Sequence, residues 1–368
     1  MKKKILVFMF SLAGGGAERT VVNIINNLNK NKFEVVLVLG SNKKHDYINL
    51  VNDDIKIKHL NCRKLYFCLF RLRREIIKEN PDCLFSTING NNILLSISKL
   101  ISFKKIPTII REASNRTQSG KVSKINKFIT FITYNHLANK VVALSKGVKE
   151  DLRINFRIDQ KKIVVIYNPV EVKQIELLSE EKVNDIEKNS DEKLIVAVGR
   201  LVEPKDFQTL IKAFSIVSRN VKSRLMILGK GPLEEQLKDI SKSLGLEDKV
   251  LFMGFKENPY KYIKYSDLFV LSSKWEGFSH VIVESMAVGI PVVSTNCNSG
   301  PAEIICNNKY GKLVPVGDSE KLADKIIEVL NDNETRKDLS LLGKKRAQDF
   351  NAKTIVKKYD ELFIDAIN

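Results

Sequence analysis

Leu194 to Val217 reads LIVAVGRLVEPKDFQTLIKAFSIV. The apolar run Leu194–Val198 leads into a glycine, two cations and a proline, and apolar residues at helical spacing follow from Phe207. This order predicts a buried strand, a loop at its carboxyl end and an amphipathic helix. Its position is what matters. It restarts in mid-chain a pattern already run from the N-terminus: a strand at Ile5–Phe8, the run Gly14-Gly15-Gly16, and a helix with Val21, Ile24, Ile25 and Leu28 on one face. Strands alternating with helices imply parallel sheets, and two starts imply two α/β domains.

Further strands are expected at Val35–Leu39, Cys83–Ser86, Thr108–Ile110, Val141–Ala143 and Val164–Ile166 in the first half. In the second they are expected at Arg224–Leu228, Val250–Phe252, Leu268–Leu271 and Pro291–Ser294, with tail helices at Leu322–Leu330 and Thr354–Ile367. Asn168–Glu192 is polar and acidic and has no core pattern, so the boundary belongs there. The expected domains are residues 1–170 and 171–368, with the C-terminal helix a candidate to return to the first.

A length of 368 residues suits about two domains. With 43% hydrophobic residues the chain can bury a full core, which excludes a disordered or collagenous chain. Five cysteines form no CxxC and no Cys/His cluster, which favours reduced thiols in a cytosolic setting. Met1–Lys4 and Ile5–Ala13 read as a first strand and not as a secretory leader. No apolar run reaches about 18 residues, so no bilayer span is expected.

The formal charge is +18, with 61 Lys+Arg against 43 Asp+Glu. Residues 1–170 carry +19 of it and residues 171–368 carry −1. Such an excess points to an anionic partner: nucleic acid, a membrane face or an acidic substrate.

Gly199-Arg200 through Lys205 lies beyond a strand's carboxyl end, where open α/β sheets bind ligands. Arginine can fork onto a phosphate, and lysine adds a point contact. Gly229-Lys230-Gly231-Pro232 repeats the strand–turn–helix form. Glu276-Gly277-Phe278-Ser279-His280 follows the Leu268–Leu271 strand, and Glu284 falls on the helix expected from Ser279. One carboxylate in the loop can meet a sugar, and the other can accept from a ribose diol. The helix N-terminus between them can hold phosphate oxygens. The N-terminal glycine run has Arg19 where a complete GxGxxG has its last glycine, and Leu39 is followed by Gly40-Ser41 with no acid, so a nicotinamide dinucleotide site is not indicated.

The set GGGAER, VGRLVEPKD, LGKGP, EGFSHVIVE and AVGIPVVST resembles glycosyltransferase family 4. That resemblance implies two Rossmann-like domains facing across a cleft, the GT-B fold. Residues 1–170 would be the basic acceptor or membrane-facing domain, and residues 171–368 the nucleotide-sugar donor domain. It implies Glu276, Arg200 and Lys205 as catalytic residues. Gly15, Gly16, Gly277, Phe278, Ser279, His280 and Glu284 would bind the donor. The implied reaction retains anomeric configuration with no protein nucleophile. No Asp-x-Asp occurs in the chain, and neither a metal nor another cofactor is expected. Many members carry a histidine after the Thr108–Ile110 strand, but this chain has Ala113, so that role is not assigned, with Glu112 and Asn115 the candidates to contribute.

Two segments join cations to aromatics. In Cys62–Asn80, Leu65, Leu69, Leu72 and Ile76 share a helical face beside Phe67, Arg71, Arg74 and Lys78. In Lys121–Asn135, Ile125, Phe128, Ile129 and Ile132 share one flanked by Lys121, Lys124 and Lys127. Such helices suit an anionic bilayer surface. Arg71, Arg74, Lys121, Lys124 and Lys127 are therefore the acceptor- and membrane-facing candidates.

The resulting expectation is an enzyme on the cytoplasmic face of a bacterial plasma membrane, held there peripherally. It would move GalNAc, GlcNAc, galactose or glucose from a UDP-sugar to a polyprenyl-diphosphate saccharide, as in O-antigen or N-glycan assembly. A sugar-nucleotide epimerase and a basic nucleic-acid-binding protein are the alternatives. The second lacks any helix-turn-helix, zinc or RNP-like signature, so no nucleic-acid partner is expected.

Overall fold

In a computed structural model of the chain, all residues are described except Gly14, Ser119, Lys121 and Asn298. Gly14 of the glycine run and Lys121 of the basic set thus lie outside the described residues. The chain divides into two units, one of Met1–Val170 with Ala352–Asn368 and one of Glu171–Asn351.

The first unit holds β1 (Lys3–Met9), β2 (Phe33–Ser41), β3 (Lys56–Cys62), β4 (Cys83–Thr87), β5 (Thr108–Glu112), β6 (Lys140–Ala143) and β7 (Ile163–Val165). They form one parallel sheet ordered β3-β2-β1-β4-β5-β6-β7. Apolar residues leave both faces of this sheet, as parallel strands covered on two sides require. Ile5, Val7 and Met9 point into one core, and Leu6 and Phe8 into another. The terminal helix Ala352–Ile367 closes the first of these cores with Ile355, Val356, Tyr359, Leu362 and Phe363. The Phe363 ring stands edge-on to Phe85 at 5.6 Å. Ala352 N–H donates to the Val170 carbonyl at 2.9 Å, tying together the two points where the chain leaves and re-enters this unit.

The second unit holds β8 (Lys193–Val198), β9 (Ser223–Leu228), β10 (Val250–Phe252), β11 (Leu268–Leu271), β12 (Val292–Thr295) and β13 (Lys312–Val314). Their order is β10-β9-β8-β11-β12-β13, again all parallel. In both sheets the order reverses beside the first strand, between β1 and β4 and between β8 and β11. Loops at the carboxyl ends of those strands diverge there and leave a crevice.

One sequence expectation of the two amphipathic segments changes. The face Leu65, Leu69, Leu72, Ile76 does not meet a membrane: Leu72 and Ile76 are fully buried and Leu65 and Leu69 pack on the same core. Only the neighbouring stripe is outside, with Phe67 and Phe70 exposed. The helix Lys124–Ile132 does the reverse. Its apolar side chains Ile125 and Phe128 are 72% and 65% exposed, and Ile129 and Ile132 are also outside. Among the described residues, no helix is long and apolar enough to cross a membrane.

Candidate active site

The second unit's site is built from the two loops at its sheet's switch point. After β8 the chain turns at Gly199 and Arg200 and makes a short helical turn over Glu203–Lys205. Asp206 then takes left-handed φ (47°) and caps the helix Phe207–Asn220 by accepting from Thr209. After β11 the chain runs through Ser273 to Glu276, and the helix His280–Ala287 follows.

The two loops meet through Lys205 and Glu276, 71 residues apart in sequence, whose Nζ and Oε1 lie 2.5 Å apart. Ser273 Oγ donates to the same oxygen at 2.7 Å. The Glu276 backbone is fixed in turn, because Ser299 Oγ donates to its carbonyl at 2.6 Å. Thr295 Oγ1 donates to the Ser273 carbonyl at 2.6 Å, and Cys297 Sγ does so at 2.9 Å. Burial, with a smaller push from the Glu276 charge, raises the Cys297 thiol to about 12, so this cysteine is an inert packing group. Arg200 is exposed and makes no side-chain hydrogen bond or ion pair among the described residues.

The LGKGP turn supports this arrangement from behind. A Cβ at Gly229, where φ is +146°, would meet the Gly199 carbonyl oxygen at 1.8 Å, and one at Gly231 would meet the Leu201 oxygen at 2.3 Å. Leu201 N–H donates to the Lys230 carbonyl at 3.0 Å. Both glycines are therefore needed for two backbones to touch. Gly300 has the same duty, since its Cβ would stand 2.4 Å from the Phe278 oxygen.

Ser279 is the strained residue of the site. It holds left-handed φ (79°), and its buried hydroxyl has no hydrogen-bond partner. Non-glycine residues persist there only when their surroundings over-determine them, often at ligand sites. The Phe278 ring is 2% exposed and packs edge-on to His280 and Phe350, which leaves its backbone and not its ring for a ligand. Glu284 is buried on the helix, and His280 is half-buried at its start. Ser273 could not be chosen from sequence, where a serine after a strand looks like any loop, whereas Ser279 is indicated there only by the family resemblance.

In the first unit Gly15 caps the helix Gly16–Asn27 without a side chain. The Glu18 carboxylate lies over it, 2.3 Å from where a Gly15 Cβ would stand. An acid in the first turn suits the helix dipole and occupies the ground an anionic ligand would take. The sequence Gly16-Ala17-Glu18-Arg19 gave no hint of this cover.

A cavity of about 480 Å³ opens at the carboxyl ends of β4 and β5, lined by Ile88, Glu112, Ala113 and Arg116 among others. Ile88 holds left-handed φ (71°), which a β-branched residue adopts only under strain. Glu112 accepts from Tyr134 Oη at 2.8 Å and from Ala113 N–H at 3.1 Å, and burial pushes its carboxyl above the ordinary range.

Of the basic set, Arg71 donates to the Leu60 and Asn61 carbonyls, and exposed Arg74 borders a groove of about 850 Å³. Lys124 and Lys127 flank a separate groove of about 610 Å³ with Phe128, Phe131 and Ile154. The structure therefore places Arg71 and Arg74 apart from Lys124 and Lys127, on different helices.

Comparison with known proteins fits this geometry. The profile described as Glycosyltransferase Family 4 matches residues 14–174, and the one described as Glycosyl transferases group 1 matches residues 179–346. One relative is the N-acetylgalactosamine-N,N'-diacetylbacillosaminyl-diphospho-undecaprenol 4-alpha-N-acetylgalactosaminyltransferase of Campylobacter jejuni. It is 31% identical over 363 residues, covering 95% of this chain and 96% of that protein. Another from the same organism, a GalNAc-alpha-(1->4)-GalNAc-alpha-(1->3)-diNAcBac-PP-undecaprenol alpha-1,4-N-acetyl-D-galactosaminyltransferase, is 27% identical over 377 residues, covering 99% of each. Anabaena HepE, solved with UDP, superposes with a TM-score of 0.83 at 20% identity over 99% of this chain and 100% of its own. That likeness shows the shared fold, the GT-B class of two Rossmann-like domains.

Proposed function

The chain belongs to glycosyltransferase family 4, and we propose that it transfers a sugar from a UDP-sugar to a polyprenyl-diphosphate-linked saccharide at a membrane surface, retaining anomeric configuration. The observation that carries this reading is the Lys205–Glu276 pair at the β8/β11 switch point, with Arg200 unpaired in the same loop as Lys205.

That pair is a resting state for a donor site. A diphosphate brings more charge than one carboxylate, so it displaces Glu276 from Lys205 and takes Arg200 as a second partner. Glu276, still oriented by Ser273, is then released to the hydroxyls of the donor sugar. Ser279 Oγ and the N-terminus of its helix supply further donors to phosphate oxygens, and Glu284 takes the ribose. Gly15 and Gly16 contribute backbone N–H groups once Glu18 moves aside.

The acceptor hydroxyl attacks on the face the diphosphate leaves, and a leaving phosphate oxygen takes its proton. Arg200 and Lys205 stabilise the negative charge that develops on that group without reorganising. They fill the place of a metal, so we propose no metal requirement. The acceptor sugar occupies the cavity with Glu112, where Ala113 leaves the space of the missing histidine.

The names of the Campylobacter relatives favour N-acetylgalactosamine as donor sugar and an undecaprenyl-diphosphate acceptor; GlcNAc, galactose and glucose are the other choices. The exposed apolar face of Lys124–Ile132, with Lys124 and Lys127 at its edge, and the stripe of Phe67, Phe70, Arg71 and Arg74 suit peripheral contact with an anionic bilayer. In a bacterial cell that bilayer would be the inner face of the plasma membrane. The deciding experiment is a panel of four UDP-sugars with membrane lipid extract, with and without EDTA, read by product mass. One UDP-sugar giving a lipid-linked product in EDTA is the expected result. Conversion of free UDP-sugar with no lipid-linked product would return the epimerase alternative.

A further inference from the structure

A second built site stands in the first unit, at the carboxyl ends of β2 and β3. A cavity of about 380 Å³ is lined there by Lys43, Lys44, His45, His59 and Asn61 among others. His45 is only 8% exposed. Its Nδ1 accepts the Leu12 N–H at 3.1 Å, so the neutral ring carries its hydrogen on Nε2. That Nε2 is buried and has no hydrogen-bond partner. Burial lowers the pKa of His45, although the Ser41 carbonyl close by draws it upward. A buried donor whose nearby acceptor, the Ser41 carbonyl, makes no hydrogen bond to Nε2 is costly, and native proteins seldom keep one without a use for it.

The surroundings indicate what would complete it. The His59 ring lies 5.9 Å from that of His45. Lys43 and Lys44 are exposed and make no ion pair among the described residues. Asp46 is the one carboxylate at the rim. Donors thus outnumber acceptors, and ammonium charge exceeds carboxylate charge, which is the chemistry that selects an anionic oxygen.

We infer that this cavity is a phosphate-binding site, in which the His45 Nε2 hydrogen meets a phosphate oxygen and Lys43 and Lys44 supply the countercharge. His59 and Asn61 also border the adjoining groove, where Arg71, Arg74 and Phe70 lie, with Phe70 74% exposed. A phosphate with an apolar chain beside it would use both. The group can therefore come from a phospholipid head or from a small soluble phosphate compound.

The chain has four histidines, so histidine-selective ¹⁵N labelling of the full-length protein reads the site directly. The probes are inorganic phosphate at fixed ionic strength with chloride as control, and then a soluble short-chain phosphatidylglycerol. His45→Gln identifies the signal. The His45 Nε2 resonance is expected to shift saturably with phosphate while His136 stays in place. The double variant Lys43→Ala/Lys44→Ala, at exposed positions, is expected to raise the midpoint about tenfold, the scale of a lost charge-assisted bond. Saturation by the lipid at lower concentration identifies a head group; saturation by phosphate alone identifies a soluble ligand. No movement with either probe, or a midpoint unchanged in the double variant, would overturn the site. A shift confined to His280 reports on the donor site, and UDP-sugar turnover in the same samples tests that reading separately.

Discussion

The two units are built on the same parallel-sheet plan and use charge in opposite ways. Glu171–Asn351 is almost neutral, and its inward-turned cations are paired: Lys205 with Glu276, Arg224 with Glu192, Lys188 with Asp267. The other unit carries the whole excess, and there Arg74, Lys43 and Lys44 have no ion-pair partner among the described residues. Exposed Phe70 and Ile77 border the same groove as Arg74, and exposed Phe128 and Ile154 the same groove as Lys124 and Lys127. Paired charge in a crevice makes a site that responds to one ligand; unpaired charge spread beside apolar side chains makes a surface. The same net charge therefore means different things in the two halves.

The comparison can be broken most severely at the paired site. Arg200→Ala, Lys205→Ala and Glu276→Gln are each expected to lower kcat by about 10²–10³-fold, the usual loss for one preorganised electrostatic group. Far-UV circular dichroism should be unchanged, and near-normal turnover in any of the three would remove that residue from the site. Next comes the backbone behind it. Gly229→Ala puts a methyl 1.8 Å from a carbonyl oxygen and is expected to cost about 3 kcal/mol or more in urea unfolding. Gly245→Ala, at φ +67° with nothing within 4 Å, should cost only about 1 kcal/mol.

The surface side of the comparison predicts smaller effects. Lys124→Ala/Lys127→Ala should weaken binding to anionic liposomes by about 30-fold, near 1 kcal/mol per cation. Phe128→Ser should weaken it further while leaving stability unchanged, because Phe128 is exposed. A drop in thermal stability would instead mean that this face is packed. The smallest effect concerns Glu79, whose carboxyl is held below its ordinary range first by the Lys56 hydrogen bond. A carboxyl depressed in the fold contributes stability above its unfolded pKa and loses it as pH falls through the folded value. Glu79→Gln should therefore be less stable than the parent near neutrality and match it in strong acid. Parallel denaturant curves at the two pH values check this.

Most of the fold was legible because central strands are unbroken apolar runs. Ile5–Phe8, Leu194–Val198 and Leu268–Leu271 all appear as strands. The strands not foreseen, β3 and β13, are sheet edges. Lys56–Cys62 reads KIKHLNC, half solvated, and Lys312–Val314 is only three residues long. Periodicity could show that two basic helices were amphipathic, but not what each apolar face meets. Leu72 and Ile76 turned out to be core, and Ile125 and Phe128 solvent-facing, because the difference lies in tertiary packing. The motifs marked the loops of the candidate site. The Lys205–Glu276 pair, the Ser273 bond and the glycine contacts behind them depend on residues far apart in sequence, where no local pattern records them.

The central claim is that donor chemistry and surface binding are separable between the units. Its most direct test measures UDP-sugar hydrolysis and liposome binding together in Arg200→Ala and in Lys124→Ala/Lys127→Ala. The first should lose hydrolysis and keep liposome binding, and the second should keep hydrolysis and bind liposomes about 30-fold more weakly. Parallel loss of both activities in either protein would contradict it.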